Sequence, residues 1–283
     1  MTWDGSILTD KTLLLYGEQG IGDEVMFSSC LSELIAQQPK QIILEYDLCL
    51  KPLVGRSFPS NKGSAKKHIV NHSNEKITID FQVALGNIPI FLHPDLGSFP
   101  VPKPFLIPDP NLVDKWINRF NNIGSGMKIG ISWRGGSTDL NKKTRSTPLQ
   151  MWKSVLKSKA HFINLQYGDC VSEINKVKET TGITIHDWPD ADPLKDLDNF
   201  AAQIAVLDLV ISIDNSTVHF AGALGKPTWI LLPFAPEWRW LLNRDDSLWY
   251  PTVRLFRQQK IGDWETVFKE VHKTLLDSHM MSN

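Results

Sequence analysis

Residues 211–227 read ISIDNSTVHFAGALGKP, and the reading of this stretch decides the fold. Leu209, Val210, Ile211 and Ile213 form the apolar, β-branched run of a strand buried on both faces. Asp214, Asn215, Ser216 and Thr217 follow, all of them residue types that cap helices. Ala221, Gly222 and Ala223 are small enough for the ensuing helix to lie close on a sheet, and Gly225 with Pro227 ends it. The turn leaves helix N-terminal N–H groups and a positive dipole end free, which suits a phosphate. His219 lies one turn in, within reach of the same ligand. The pattern also describes an ordinary strand–helix corner in which Asp214 merely caps.

Working outward, strand patterns at 128–133 (KIGISW), 161–166 (HFINLQ), 183–186, 209–214, 228–232 and 253–257 alternate with helical patterns at 149–156, 171–180, 197–207 and 217–224. Such alternation predicts a parallel sheet covered on both faces, with ligands bound beyond the carboxyl ends of its strands. A last helix over 264–276 puts Trp264, Val267, Phe268, Val271 and Leu275 on one face. The chain opens with another β–turn–α–β unit. Its parts are TLLLY (12–16), GEQGIGDE (17–24), a helix carrying Phe27, Cys30, Leu31, Leu34 and Ile35, and QIILEY (41–46). Residues 55–76 are polar, with one weak strand at 67–70, and 77–84 reads as a further strand. Pro100, Pro102, Pro104, Pro108 and Pro110 then form a stiff connector, predicting domains over 1–106 and 107–283. Asp109-Pro110 marks the start of a helix carrying Leu112, Trp116 and Phe120.

A net charge of -1 gives no global attraction to nucleic acid, so any anion site is local. Cys30, Cys49 and Cys170 are odd in number and widely spaced, which argues against a disulfide framework or a zinc site. No apolar run approaches the roughly 20 residues of a spanning helix. The opening MTWDGSILTDK lacks a basic stretch followed by an apolar one, so the cytoplasm is the expected compartment.

GEQGIGD (17–23) invites a dinucleotide reading, but its glycines run in the reverse order, and Asp23 would stand where a pyrophosphate docks. The better expectation is that Gly20 and Gly22 let the backbone approach a ligand while Asp23 projects a carboxylate suited to general-base work. Glu18 is a second choice, and plain capping by Asp23 is the structural alternative. A second candidate follows the strand KIGISW: Trp133, Arg134 and two glycines, then Lys142, Lys143 and Arg145, which together suit a diphosphate. The stretch Gln166 to Asp169, at another strand end, is expected to line a ribose or base pocket. Asp190-Ala191-Asp192 resembles a metal motif of some sugar transferases, but is read as a loop that binds no metal. Trp238, Trp240, Trp249 and Tyr250, with Arg239 and Arg244, suit either sugar stacking or an interdomain core.

GEQGIGD, the basic loop after KIGISW, and ISIDNSTVHFAGALGKPTWILLPFAPEWRW together resemble the heptosyltransferase-related glycosyltransferases of family 9, in the branch often attached to tetratricopeptide repeats. The resemblance implies an α/β, GT-B architecture: two Rossmann-like parallel-sheet domains facing across a cleft, with the last helix packing back on the first domain. It implies inverting transfer from a nucleotide-diphosphate sugar to a glycan, lipid-linked or protein acceptor, with no metal or other cofactor. Asp23 matches the family's proposed base. Asp214, Asn215, Ser216, Thr217 and His219 match its nucleotide-sugar motif, and one of Lys142, Lys143 and Arg145 its phosphate-binding lysine. It further implies a tetratricopeptide-repeat partner or a missing fused domain. A catalytically inactive binding scaffold and a sugar-nucleotide epimerase are the alternatives.

Overall fold

The computed structural model describes residues 1–59, 66–69, 78–135 and 144–280. Two parallel sheets organise them. The first contains β1 (Thr12–Tyr16), β2 (Gln41–Glu45), β3 (Lys66–Ile69) and β4 (Phe81–Ala84), in the order β3-β2-β1-β4. The second contains β5 (Met127–Ser132), β6 (Ala160–Asn164), β7 (Ile185–His186), β8 (Leu209–Ile213), β9 (Thr228–Leu232) and β10 (Val253–Arg257), in the order β10-β9-β8-β5-β6-β7. Strand order therefore reverses between β1 and β4 in one sheet and between β5 and β8 in the other. At such points neighbouring crossovers leave in opposite directions and open a crevice at the strands' carboxyl ends.

β8 is buried along its whole length, as its apolar sequence requires, because helices cover both faces of the sheet. The helices are α1 (Ile21–Phe27), α2 (Leu31–Ala36), α3 (Lys51–Ser57), α4 (Ile88–Leu92), α5 (Pro110–Asn122), α6 (Lys153–Leu156), α7 (Val171–Thr181), α8 (Leu197–Ala205), α9 (Ser216–Ala223) and α10 (Trp264–Met280). Asp109 caps α5 through N–H groups of Asn111 and Leu112, with Pro110 in the first turn.

One apolar cluster runs without a break from Leu13, Leu15 and Phe27 of the first unit to Phe200, Phe220, Trp249 and Tyr250 of the second. The proline-rich connector is stitched into it, since the N–H groups of Phe105 and Leu106 both donate to Ala223 O, at 2.9 and 3.1 Å. Arg56 of α3 adds a polar tie, donating to Ile107 O at 2.9 Å and pairing with Asp198 of α8.

The far face of the second sheet has its own core, and here one expectation is corrected. Among the described residues the last helix, α10, packs on the second unit. Its apolar face lies on the second sheet with Ile129, Trp152 and Phe256, and Phe268 meets Trp152 edge-on at 5.3 Å.

Gly222, in the last turn of α9, shows how tightly the shared core closes. A Cβ there would stand 2.4 Å from Tyr250 Cγ. Gly222→Ala is therefore expected to destabilise the fold by about 1–3 kcal/mol despite alanine's better helix propensity, read as a lower urea midpoint.

Candidate active site

The two switch points face each other. From the first sheet, β1 feeds the turn into α1; from the second, β8 feeds the turn into α9. The helices meet through their first turns, and a Cβ on Gly22 would stand 2.9 Å from His219 Cδ2 and 3.3 Å from Ser216 Cα. Gly22 thus serves helix–helix approach, and it also lines the cleft beside that contact. Beside this contact opens a cleft of about 510 Å³, lined by Gly20, Asp23, Arg145, Tyr167, Ser216 and Arg239 among others.

Asp23 projects from α1 toward the cleft, and its Oδ1 lies 2.7 Å from Arg239 Nη2. Arg239 also donates through Nη1 to His219 Nε2 at 3.2 Å, and His219 Nδ1 lies 2.9 Å from Tyr250 OH. A guanidinium can only donate, so His219 Nε2 accepts and Nδ1 carries the proton, which it gives to the Tyr250 oxygen. His219 is buried and stacked on Trp240 at 5.6 Å. Burial, with Arg239 and Arg145 nearby, pushes its pKa well below 6.5.

The sign of the pH effect follows. Below pH 6.5 the unfolded chain takes up a proton at this residue that the folded chain refuses, so stability falls with pH by about 1.4 kcal/mol per unit. His219→Gln is expected to remove that share of the slope in urea titrations between pH 5 and pH 7.

Asp214, just past β8, is 1 % exposed, and burial raises its pKa. Arg145 Nη1 lies 3.5 Å from its Oδ2, and Arg145 Nη2 pairs with Glu237. Asn215 caps α9 by accepting from Thr217 N–H at 3.0 Å, and its amide donates to Ser132 Oγ at 2.7 Å and Arg134 O at 3.1 Å. The β8 corner is thereby fastened to the β5 corner. Thr217 N–H is used in the cap, and Ser216 and His219 of the first turn line the cleft.

Three residues expected at the ligand make structural contacts. Trp133 is fully buried, its indole N–H donating to Glu173 at 3.1 Å, because the apolar ring follows the strand into the core. The Arg134 guanidinium lies 3.0 Å from Glu173 and donates to Asp169 O at 2.8 Å, away from the cleft. Gln166 Oε1 accepts from Trp133 N–H at 2.9 Å and Arg134 N–H at 2.7 Å, so its side chain braces the loop after β5, and it also lines a cavity of about 250 Å³ with Asp169 and Asp187. Lys142 and Lys143 lie outside the described residues. Asp190 is taken by Lys115 at 2.9 Å and Arg119 at 2.8 Å, which hold it below the usual carboxylate range. Of the aromatic group, Trp240, Trp249 and Tyr250 are buried between the two units, and Trp238 stays exposed.

Sequence reasoning named Arg239 only with the aromatic cluster, did not name Glu237, and held Tyr167 within the stretch 166–169 expected to line a ribose or base pocket. The first two lie in the EWRW segment, where flanking tryptophans make an aromatic cluster the obvious reading.

No protein-family model matches the chain. Its sequence is 34% identical over 287 residues to Protein FlbA of Caulobacter vibrioides, covering 97% of this chain and 48% of that protein. The chain thus spans about half the length of the curated relative it matches. The ADP-heptose LPS heptosyltransferase II of E. coli superposes with a TM-score of 0.55 at 14% identity, over 95% of this chain and 99% of that one. The glycosyl transferase family 9 protein of Veillonella parvula superposes with a TM-score of 0.58 at 11% identity, over 96% and 99%. The chain has a GT-B fold. That is the architecture implied by the sequence resemblance, with two parallel-sheet units whose switch points share a cleft. Among the described residues no helix is long and apolar enough to cross a membrane.

Proposed function

We propose that the chain is a glycosyltransferase whose donor is a nucleotide-diphosphate sugar. One observation carries this reading: Asp23 on the first unit and Arg145 with the α9 first turn on the second line a single cleft. A donor diphosphate seated against Arg145 and Ser216 has its negative charge met by a guanidinium and by a helix N-terminus. Asp23 takes the proton from an acceptor hydroxyl. The freed oxygen bonds to the anomeric carbon as the bond to the diphosphate breaks, and the nucleoside diphosphate leaves. Attack from the face opposite the leaving group inverts the anomeric centre. In this scheme Arg145 and the helix terminus carry the leaving charge, and the reaction uses no metal. The names of the superposed proteins make an ADP-linked sugar the first donor to try. The acceptor, a glycan, a lipid-linked sugar or a protein, is proposed to be brought by a fused domain or a tetratricopeptide-repeat partner, and the chain to work in the cytoplasm.

Isothermal calorimetry with ADP, UDP, GDP and CMP and their sugars tests the reading. Saturable binding of one nucleotide class, with release of free nucleotide from its sugar, is the expected result. Binding of none would leave the inactive-scaffold alternative standing. Release of an isomerised nucleotide sugar in place of free nucleotide would favour the epimerase.

A further inference from the structure

Two oxygens of one carboxylate are treated differently in this site. Asp23 Oδ1 is buried and forms an ion pair with Arg239 Nη2 at 2.7 Å, outside hydrogen-bond geometry, whereas the Asp23 side chain as a whole keeps 19% exposure. Arg239 is itself held from behind. Its Nη1 donates to the lone pair of His219 Nε2, and His219 is fixed in that tautomer because Nδ1–H donates to the Tyr250 hydroxyl. Trp240 stacks on the imidazole, and the Arg239 guanidinium carbon lies 5.7 Å from the Trp238 ring centre. The guanidinium therefore has few ways to turn. It also forms part of two walls at once, that of the cleft and that of an apolar groove of about 510 Å³ lined by Ile90, Phe99, Trp238 and Trp249.

We infer that Arg239 is the positioning residue of the site, clamping one oxygen of Asp23 so that the other is presented to the acceptor hydroxyl. Tyr250 and His219 form the chain that sets the clamp. The inference rests on the glycosyltransferase reading and adds to it a residue that acts through Asp23, not on the donor. A freely rotating aspartate spreads its carboxylate over several orientations, and general-base transfer needs the oxygen within hydrogen-bond reach of the proton it takes. Fixing a side chain through a second layer of hydrogen bonds narrows that spread. The arrangement parallels the way a carboxylate orients a histidine base, with donor and acceptor exchanged.

The test compares wild type with Arg239→Gln, Arg239→Lys, Tyr250→Phe, Asp23→Asn and the Asp23→Asn/Arg239→Gln pair. The probes are the nucleotides and nucleotide sugars of the binding panel, and turnover is read as nucleoside diphosphate released with water as acceptor. Arg239→Gln is expected to lower kcat about 30- to 100-fold with nucleotide Kd changed by less than about twofold. Arg239→Lys restores kcat to within about tenfold of wild type, and Tyr250→Phe lowers it severalfold at unchanged Kd. The double variant is no slower than Asp23→Asn alone, because an amide in place of the carboxylate leaves the clamp no base to present. A tenfold or greater rise in Kd for Arg239→Gln with kcat unchanged would make Arg239 a donor ligand and overturn the inference. Additive losses in the double variant would overturn it too. Absence of nucleotide binding by wild type would instead overturn the glycosyltransferase reading, and the inference with it.

Discussion

Asp23→Asn is expected to lower transfer about 10²- to 10⁴-fold while nucleotide binding is kept. The substitution is isosteric, and the asparagine oxygen still faces Arg239 Nη2, which lies 2.7 Å from Oδ1 in the wild type. The contact of α1 with α9 is made by Gly22 and is not touched. What disappears is the ability to take a proton at the cleft-facing oxygen. No other carboxylate on the described cleft wall is placed to replace it, since Asp214 is buried against Arg145 and Glu237 is paired with the same arginine. The loss belongs in kcat, not in KM, because a neutral amide leaves the Arg145 side of the cleft unchanged. Single-turnover release of nucleoside diphosphate beside calorimetric Kd values separates the two. Full activity in the variant would remove Asp23 from the chemistry and leave it a residue of helix α1.

Much of this architecture was legible before any coordinates, for reasons that lie in the residues. β1, β9 and β10 are found with the bounds read from TLLLY, TWILL and VRLFR, because each apolar run is closed sharply by Gly, Pro or polar residues. The β8–α9 corner was equally plain, four capping residues on end between a buried strand and a run of small residues. What escaped was the partner of each surface. The apolar face of α10 is written in its periodicity, but which sheet it covers depends on where free apolar area remains after the other helices have packed. A glycine signals close approach without saying of what, so Gly22 reads the same whether a phosphate or Ser216 stands opposite. Gln166 is ambiguous in the same manner, a polar side chain at a strand end that binds two backbone N–H groups of its own chain. Arg239 was visible in the sequence but sits between tryptophans, and its pairing with Asp23 spans more than two hundred residues that no local pattern connects.

Arg145→Met is expected to cost about 2–4 kcal/mol of stability, and Asp214→Asn in the same chain to return most of it. In the wild type Arg145 bridges two carboxylates, Asp214 at 3.5 Å and Glu237 in direct contact. Asp214 is 1 % exposed, and its desolvation is opposed chiefly by that one guanidinium. Methionine fills similar volume with no charge, so it strands a buried carboxylate and leaves Glu237 facing it. Removing one partner of a buried pair commonly costs about 3–5 kcal/mol, and the estimate is reduced here because Glu237 reaches water and Asp214 can protonate. The pH dependence identifies the cause. Burial already holds Asp214 above its ordinary 3.8, and loss of Arg145 raises it further, so the folded variant binds a proton that the unfolded chain has released. Its stability then falls as pH rises from 3.8 through the raised folded value, and the deficit against wild type is smallest near pH 4 and largest at neutral pH. Urea unfolding of wild type, both single variants and the double variant at pH 4.5 and pH 7.5 measures this directly. A double variant as unstable as Arg145→Met would mean that the arginine acts through packing of its stem and not through the charge of Asp214. Recovery in the double variant without restored nucleotide binding would place both roles, stability through Asp214 and anion capture in the cleft, on the same guanidinium.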